Sequence, residues 1–151
     1  MEFERLMAEF GEAAGIDTRP DAKGTVWIDS DGVMVTVQYR QEHDDIVIFS
    51  LPLSGETADE TIMRRALELS SAGLGTGGFY IGLHDGFLTL STVIPLEGLD
   101  ADALAKRLLA LSSATTRVTN SITATVAEES VARYEAQKSR EESGSHFVFR
   151  V

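Results

Sequence analysis

The hydrophobic positions of the chain repeat with two different periods, one at the N-terminus and another in the segments that follow. At the N-terminus they recur every three or four residues, as along one face of a helix: Phe3, Leu6, Met7 and Phe10. This spacing predicts a first helix that ends near Gly15, because glycine is common at helix C-termini.

Three strands are predicted next, in residues 25–29, 33–39 and 46–51. The second places successive side chains on opposite faces. The third is apolar on both faces, which predicts that both of its faces are covered. Asp31-Gly32 is expected to join the first two strands in a tight hairpin, since both residues tolerate positive φ.

A second helix is predicted from about Thr57 to about Ser71, because Thr57 and Glu60 match the spacing of a capping box. It carries two adjacent apolar lines. The first consists of Ile62, Ala66 and Leu69, and the second of Met63 and Leu67. A helix with one buried side needs only one such line, so the second line is expected to face another subunit.

The second half of the chain predicts two more strands and a third helix. Residues 79–83 and 87–94 flank Asp85-Gly86, another hairpin signal, and Asp100 suits a helix N-cap. The helix prediction weakens over residues 112–126, which are rich in Thr and Val. The charged residues that follow are expected to form an exposed helix or a frayed tail, and residues 146–151 alternate like an isolated strand.

The predicted fold class is therefore α+β, in the order helix, three antiparallel strands, helix, two strands, helix. The length of 151 residues fits one domain, predicted over residues 1–126, with a charged C-terminal extension, helical or disordered, over residues 127–151. The first 15 residues are acidic and amphipathic, unlike a secretory signal.

Charge and composition exclude several classes of function. The formal net charge of −11, from 13 basic and 24 acidic residues, argues against a nucleic-acid partner. No apolar run approaches the roughly 20 residues that a membrane-spanning helix needs, so membrane insertion is not expected. The absence of cysteine removes disulfides and thiol chemistry, and it suits a reducing, cytoplasmic compartment.

No motif in the sequence predicts catalysis, a metal site or a cofactor. Gly73, Gly75 and Gly78 match the dinucleotide-binding spacing, but a helix precedes them and a strand follows, which reverses the order that this motif needs. Asp29, Asp31 and the run from His43 to Asp45 lie in or beside predicted turns, without further ligands. The expectation is a protein that is not an enzyme, although a small-molecule site built from carboxylates stays an alternative.

Apolar surface is what the sequence offers instead. A five-stranded sheet with three helices has more apolar strand and helix faces than one small subunit covers, so some of this surface is expected to face a partner. A dimeric regulatory or adaptor protein that binds folded partners is one hypothesis for such a surface.

At this point the chain resembles a known family over about residues 1–120: the class I type III secretion chaperones, or Tir-chaperone-like family. The residues that carry the resemblance are Phe3, Leu6, Phe10-Gly11 and Gly15-Ile16, Val26, Ile28-Asp29, Leu51-Pro52-Leu53, Gly77 to Leu83, Phe87 to Leu90, Ile94-Pro95-Leu96 and Leu99-Asp100. The resemblance implies a homodimer that binds the N-terminal segment of a secreted effector in extended form. It also implies delivery to the secretion apparatus without any cofactor.

The resemblance further implies which residues make these contacts. The effector is expected to contact Phe3, Leu6, Met7, Phe10, Val26, Ile28, Met34, Val47 and Phe49. The dimer interface is expected to involve Ile62, Met63, Ala66, Leu67, Leu69, Tyr80, Leu88 and Leu90. Backbone bonds to an added strand would give affinity, and side-chain pockets would give selectivity.

Overall fold

The structure, a computed structural model, describes the backbone of residues 1–53 and 56–148 and the side chains up to residue 143. Its elements are α1 (Glu2–Ala14), β1 (Thr25–Ser30), β2 (Val33–Arg40), β3 (Asp45–Ser50), α2 (Glu60–Ser70), a short 3-10 turn (Ser71–Gly73), β4 (Tyr80–His84), β5 (Phe87–Pro95) and α3 (Ala101–Val148). The predicted α+β class and the predicted order of helices and strands are confirmed.

The five strands form one antiparallel sheet in the order β1-β2-β3-β5-β4, which leaves β1 and β4 as its edges. Both predicted hairpins are present. Asp31 and Gly32 have φ of 55° and 82°, and Asp85 and Gly86 have φ of 50° and 81°, as a primed two-residue turn requires. The two turns lie at the same end of the sheet, which is called the hairpin end below.

All three helices pack against one face of the sheet, the inner face, and the core lies between them. On the strands, every second side chain points inward, and nine apolar ones among them are buried: Val26, Ile28, Val35, Val37, Ile46, Ile48, Leu88, Leu90 and Ile94. Phe3 of α1 stacks on the ring of Tyr39, with the ring centroids 4.8 Å apart. From α3, Leu104, Leu108 and Leu111 complete this core.

Hydroxyl groups fix α3 against the hairpin end of the sheet. Three residues of α3, Ser112, Thr115 and Thr119, form what is called the hydroxyl seam below. Ser112 accepts from Ser30 at 3.2 Å, and Thr115 lies 2.6 Å from Ser50. Thr119 donates to the carbonyl oxygen of Pro52. These polar side chains lie beside a buried apolar line of α3 that consists of Ala114, Val118 and Ile122.

Two predictions of secondary structure are wrong. Helix α2 begins at Glu60, because Asp59, not Thr57, is its N-cap and accepts from the backbone N–H of Ile62 at 2.9 Å. Ala58 instead donates to the carbonyl of Gly86, which holds this stretch in an extended path. The strand predicted for residues 146–151 is wrong over residues 146–148, which belong to α3, and its remainder lies outside the described residues.

Residues 112–126 are helical despite their Thr and Val content, because the hydroxyl seam and the buried Val118 and Ile122 hold them against the sheet. Residues 127–148 continue the same helix without a break. The division into a domain over residues 1–126 and an extension stays a prediction.

Candidate protein-binding surface

The second face of the sheet, the outer face, is not covered by any described element, because all three helices lie on the inner face. Its side chains alternate with the buried ones, and many are large and apolar. Trp27 and Met34 are 58% and 57% exposed. The other apolar side chains of this face are Val47, Phe49, Tyr80, Phe87 and Val93.

Two adjoining cavities indent the outer face near the hairpin end. The larger, about 500 Å³, starts at Trp27 and Met34 and continues around the hairpin end to Thr116 and Asn120 of α3. The smaller, about 370 Å³, lies over β3, β5 and the β4–β5 turn. Phe49 and Leu51 line both cavities, so the two form one groove with a shared apolar wall.

The charges around this groove are mainly acidic at the hairpin end. Asp31 and Asp85 occupy the two hairpin turns, and Asp29 accepts from the backbone N–H of Gly32 at 2.9 Å.

At the opposite end of the outer face, the Arg40 guanidinium donates to both carboxylate oxygens of Asp45 at 2.7 and 2.6 Å. These hydrogen bonds lower the pKa of Asp45 below its ordinary value of 3.8.

A second apolar surface lies beside the edge strand β4. Helix α2 packs next to this strand, and its outward line, Met63 and Leu67, is exposed, with Leu67 at 69%. Leu74, in the loop that follows α2, and Leu83, on β4, are also exposed. One side of β4 has no strand partner among the described residues, so its backbone groups on that side are open to pairing.

The residues predicted to contact an effector fall into two groups. Met34 is exposed on the outer face, and Val47 and Phe49 are half-buried there. The other six are core residues that pack between α1 and the inner face, and none exceeds 7% exposure: Phe3, Leu6, Met7, Phe10, Val26 and Ile28. The apolar side chains of α1 therefore pack in the core and do not form an exposed patch, and the effector contact of α1 stays a prediction.

The predicted dimer residues divide in the same way. Four are buried within the protomer: Ile62, Ala66, Leu88 and Leu90. Leu69 is partly buried against the core. Met63, Leu67 and Tyr80 are exposed and available to a second subunit. The two apolar lines of α2 thus separate as the sequence predicts, one inward and one outward.

The prediction that both faces of β3 are covered is wrong for the protomer. Ile46 and Ile48 are fully buried under the helices, whereas Val47 and Phe49, on the outer face, are covered only by their neighbours within the sheet. Sequence reasoning also missed Trp27, Leu51 and Phe87 as members of the groove. Strand alternation carried the signal, since Trp27 must face away from Val26 and Ile28.

The described residues contain no group of three His, Asp or Glu side chains arranged to hold a metal ion. Over the same part of the chain, no helix combines the length and apolar character needed to cross a bilayer.

Several solved structures share this fold. The chaperone–effector complex of HopA1 and SchA superposes with a TM-score of 0.66 at 17% identity, covering 79% of this chain and 94% of the other. The ExsC–ExsE complex gives 0.65 at 18%, with 78% and 90% covered. The Yersinia pestis type III secretion chaperone SycH, bound to a fragment of YscM2, gives 0.58 at 17%, with 77% and 98% covered.

The chain thus shares the α+β fold of these complexes, among them a type III secretion chaperone. The chain belongs to the Tir chaperone protein (CesT) family, whose model matches residues 5–117. The resemblance noted in the sequence is confirmed. No curated protein sequence matches the chain significantly.

Proposed function

We propose that the protein is a cytoplasmic, non-catalytic type III secretion chaperone. It works as a homodimer, binds the N-terminal segment of an effector in extended form, keeps that segment soluble and delivers it to the secretion apparatus. One observation carries this proposal most directly: the apolar groove on the outer face lies on a sheet whose two edges have no strand partner in the part of the chain that the structure describes.

The outer face suits an extended chain better than a folded domain. An extended segment places side chains alternately on its two sides, and a groove walled by Phe49 and Leu51 receives those of one side. The edge strand β1 offers unpaired backbone groups beside Trp27, so a segment can add a strand there and continue across the groove. The HopA1–SchA structure supports this reading as a chaperone–effector complex of the same fold.

Homodimerisation is supported by the second apolar surface. Met63 and Leu67 form an exposed apolar line beside the open edge β4. A two-fold contact through this surface would bury both and shield the edge from unspecific strand pairing. The dimer would leave the outer-face groove near β1 free for the effector, because β1 and β4 are opposite edges of the sheet.

The experiment is co-expression with an effector encoded beside the chaperone gene, followed by co-purification. Met34→Asp with Phe49→Asp places two charges in the groove, and we expect at least a tenfold loss of effector binding because apolar contacts would be replaced by buried unpaired charge. The matched control is Leu109→Asp with Ile16→Asp, two exposed apolar residues that line neither cavity of the groove.

Full retention of the effector by the groove variant, with its dimer and its thermal unfolding unchanged, would contradict the assignment of the groove.

Limited proteolysis of the complex tests the state of the client. A protected segment that is degraded when free supports a chaperone of extended chains, whereas a client that is folded and protease-resistant alone supports the regulatory or adaptor alternative.

A further inference from the structure

The last part of α3 stands clear of the rest of the protein. From Val131 to Ser143 every residue is exposed, and the last hydrogen bond to the body that the structure describes runs from Thr61 to Glu129, at 2.8 Å. The family model ends at residue 117, so the pattern shared by the family does not include this segment. Any role of this segment therefore depends on the side chains that it presents to solvent.

One face of this segment is apolar and points away from the body. Val131 and Tyr134 are 57% and 68% exposed, and Ala124 and Ala127 precede them at spacings of three and four residues. Glu129 faces α2, and with 3.6 residues per turn Val131 and Tyr134 lie about 140–200° around the helix from it. The four residues, called the outer seam here, have the spacing of a short coiled-coil seam.

One flank of the outer seam is acidic. Glu128, Glu135 and Glu142 follow one another at intervals of seven residues, so they occupy the same flank in three successive heptads. Among the described residues, no Lys, Arg or His lies within 4.0 Å of these three carboxylates. The opposite flank carries Ser130 and Gln137, which are neutral.

We propose that the outer seam and its acidic flank form a docking surface for a basic amphipathic helix of a partner protein. The apolar residues would receive the partner's apolar line. Lys or Arg beside that line would meet the three glutamates, which lack cations of their own in the described structure. This surface is separate from the groove on the outer face, so it provides a partner contact beyond effector binding.

Charge complementarity favours this occupant over a second copy of the chain. In an antiparallel pair of two such helices, the glutamate rows would face each other and repel. In a parallel pair, each row would face Ser130 and Gln137, which offer no charge. A basic partner helix instead forms an ion pair at each glutamate. The outer seam is short, so the contact is weak and reversible, as suits a transient partner.

The test uses two synthetic helical peptides as probes. Both have the same apolar seam; one has Lys and the other Glu at the flanking positions. Binding to the full-length protein is measured by titration calorimetry. We expect the Lys peptide to bind with a Kd in the range of about 10–100 µM and the Glu peptide not to bind. Glu128→Lys, Glu135→Lys and Glu142→Lys together should weaken the Lys peptide about tenfold or more.

A matched triple variant, Glu12→Lys, Glu56→Lys and Glu97→Lys, makes the same change in net charge at exposed sites elsewhere. It should keep the affinity, and Val131→Ser with Tyr134→Ser should lose it while far-UV circular dichroism stays unchanged. The proposal is overturned if the Lys peptide fails to bind, or if both triple variants weaken it equally, which indicates unspecific attraction to an acidic protein. Self-association abolished by Val131→Ser with Tyr134→Ser would also overturn it, in favour of a second copy.

Discussion

The replacement of Thr115 by valine tests how the hydroxyl seam holds α3. The hydroxyl of Thr115 has one proton, and it lies 2.7 Å from the carbonyl oxygen of Leu111 and 2.6 Å from the hydroxyl oxygen of Ser50. The carbonyl cannot donate, so Thr115 donates to Leu111 and Ser50 donates to Thr115. Both Ser50 and Thr115 are buried, at 1% and 3% exposure.

Valine keeps the shape of threonine but removes the acceptor that Ser50 needs. A buried donor without a partner costs about 1–3 kcal/mol, so Thr115→Val should lower the free energy of unfolding by about that amount. Ser50→Ala leaves the bond from Thr115 to Leu111 intact and should cost about 1 kcal/mol. In the double variant no donor is orphaned, so its loss should be smaller than the sum of the single losses by about 1 kcal/mol or more.

The assay is equilibrium urea unfolding of the four proteins at one protein concentration. Thr116→Val is the matched control, because Thr116 makes a similar bond within the helix but is exposed, and its effect should stay below about 0.5 kcal/mol. A Thr115→Val loss no larger than this control, or losses that add in the double variant, would refute the proton assignment.

Three further predictions concern other parts of the fold. Because the pKa of Asp45 is lower in the folded protein than its unfolded value near 3.8, the Arg40–Asp45 pair stabilises the fold above that value, and the contribution is lost as the pH falls through the folded pKa. In urea unfolding, Arg40→Gln should therefore have a lower free energy of unfolding than wild type at neutral pH, and this difference should disappear in acid. Ala72 has φ of 53°, so Ala72→Gly should raise the unfolding free energy by up to about 1 kcal/mol in thermal unfolding, and a decrease would contradict strain there. Leu67→Asp should convert the proposed dimer to a monomer in analytical ultracentrifugation, whereas Leu109→Asp should not.

Much of the fold follows from local patterns in the sequence. The hairpins at Asp31-Gly32 and Asp85-Gly86 and the N-cap at Asp100 depend on a few adjacent residues, and each is present; Asp100 accepts from the backbone of Ala103 at 2.7 Å. The start of α2 was wrong because two candidate caps stand close together there, and a tertiary bond to the β4–β5 turn decides between them.

The position of the open surface was harder to predict. Alternation divides β1 and β3 into two faces, but only the packing of all three helices on one side determines which face is exposed. For that reason Val26 and Ile28 were assigned to a partner although they are buried, and Trp27 was missed although it is exposed. The apolar residues of α1 follow the same logic, since a strongly amphipathic helix fits either a core or a binding patch.

The unbroken course of α3 has a mechanical consequence. The helix is gripped by the hydroxyl seam and by Thr61, and beyond Glu129 its backbone continues for 19 residues, to Val148, or roughly 28 Å at the usual rise. A rod held at one end turns a small tilt at its base into a large sweep at its tip. Thr115 and Thr119 line the larger cavity, so an occupant that shifts the end of the sheet beneath them would tilt the base of α3. Filling of this cavity would thereby move the glutamates near the far end of the helix.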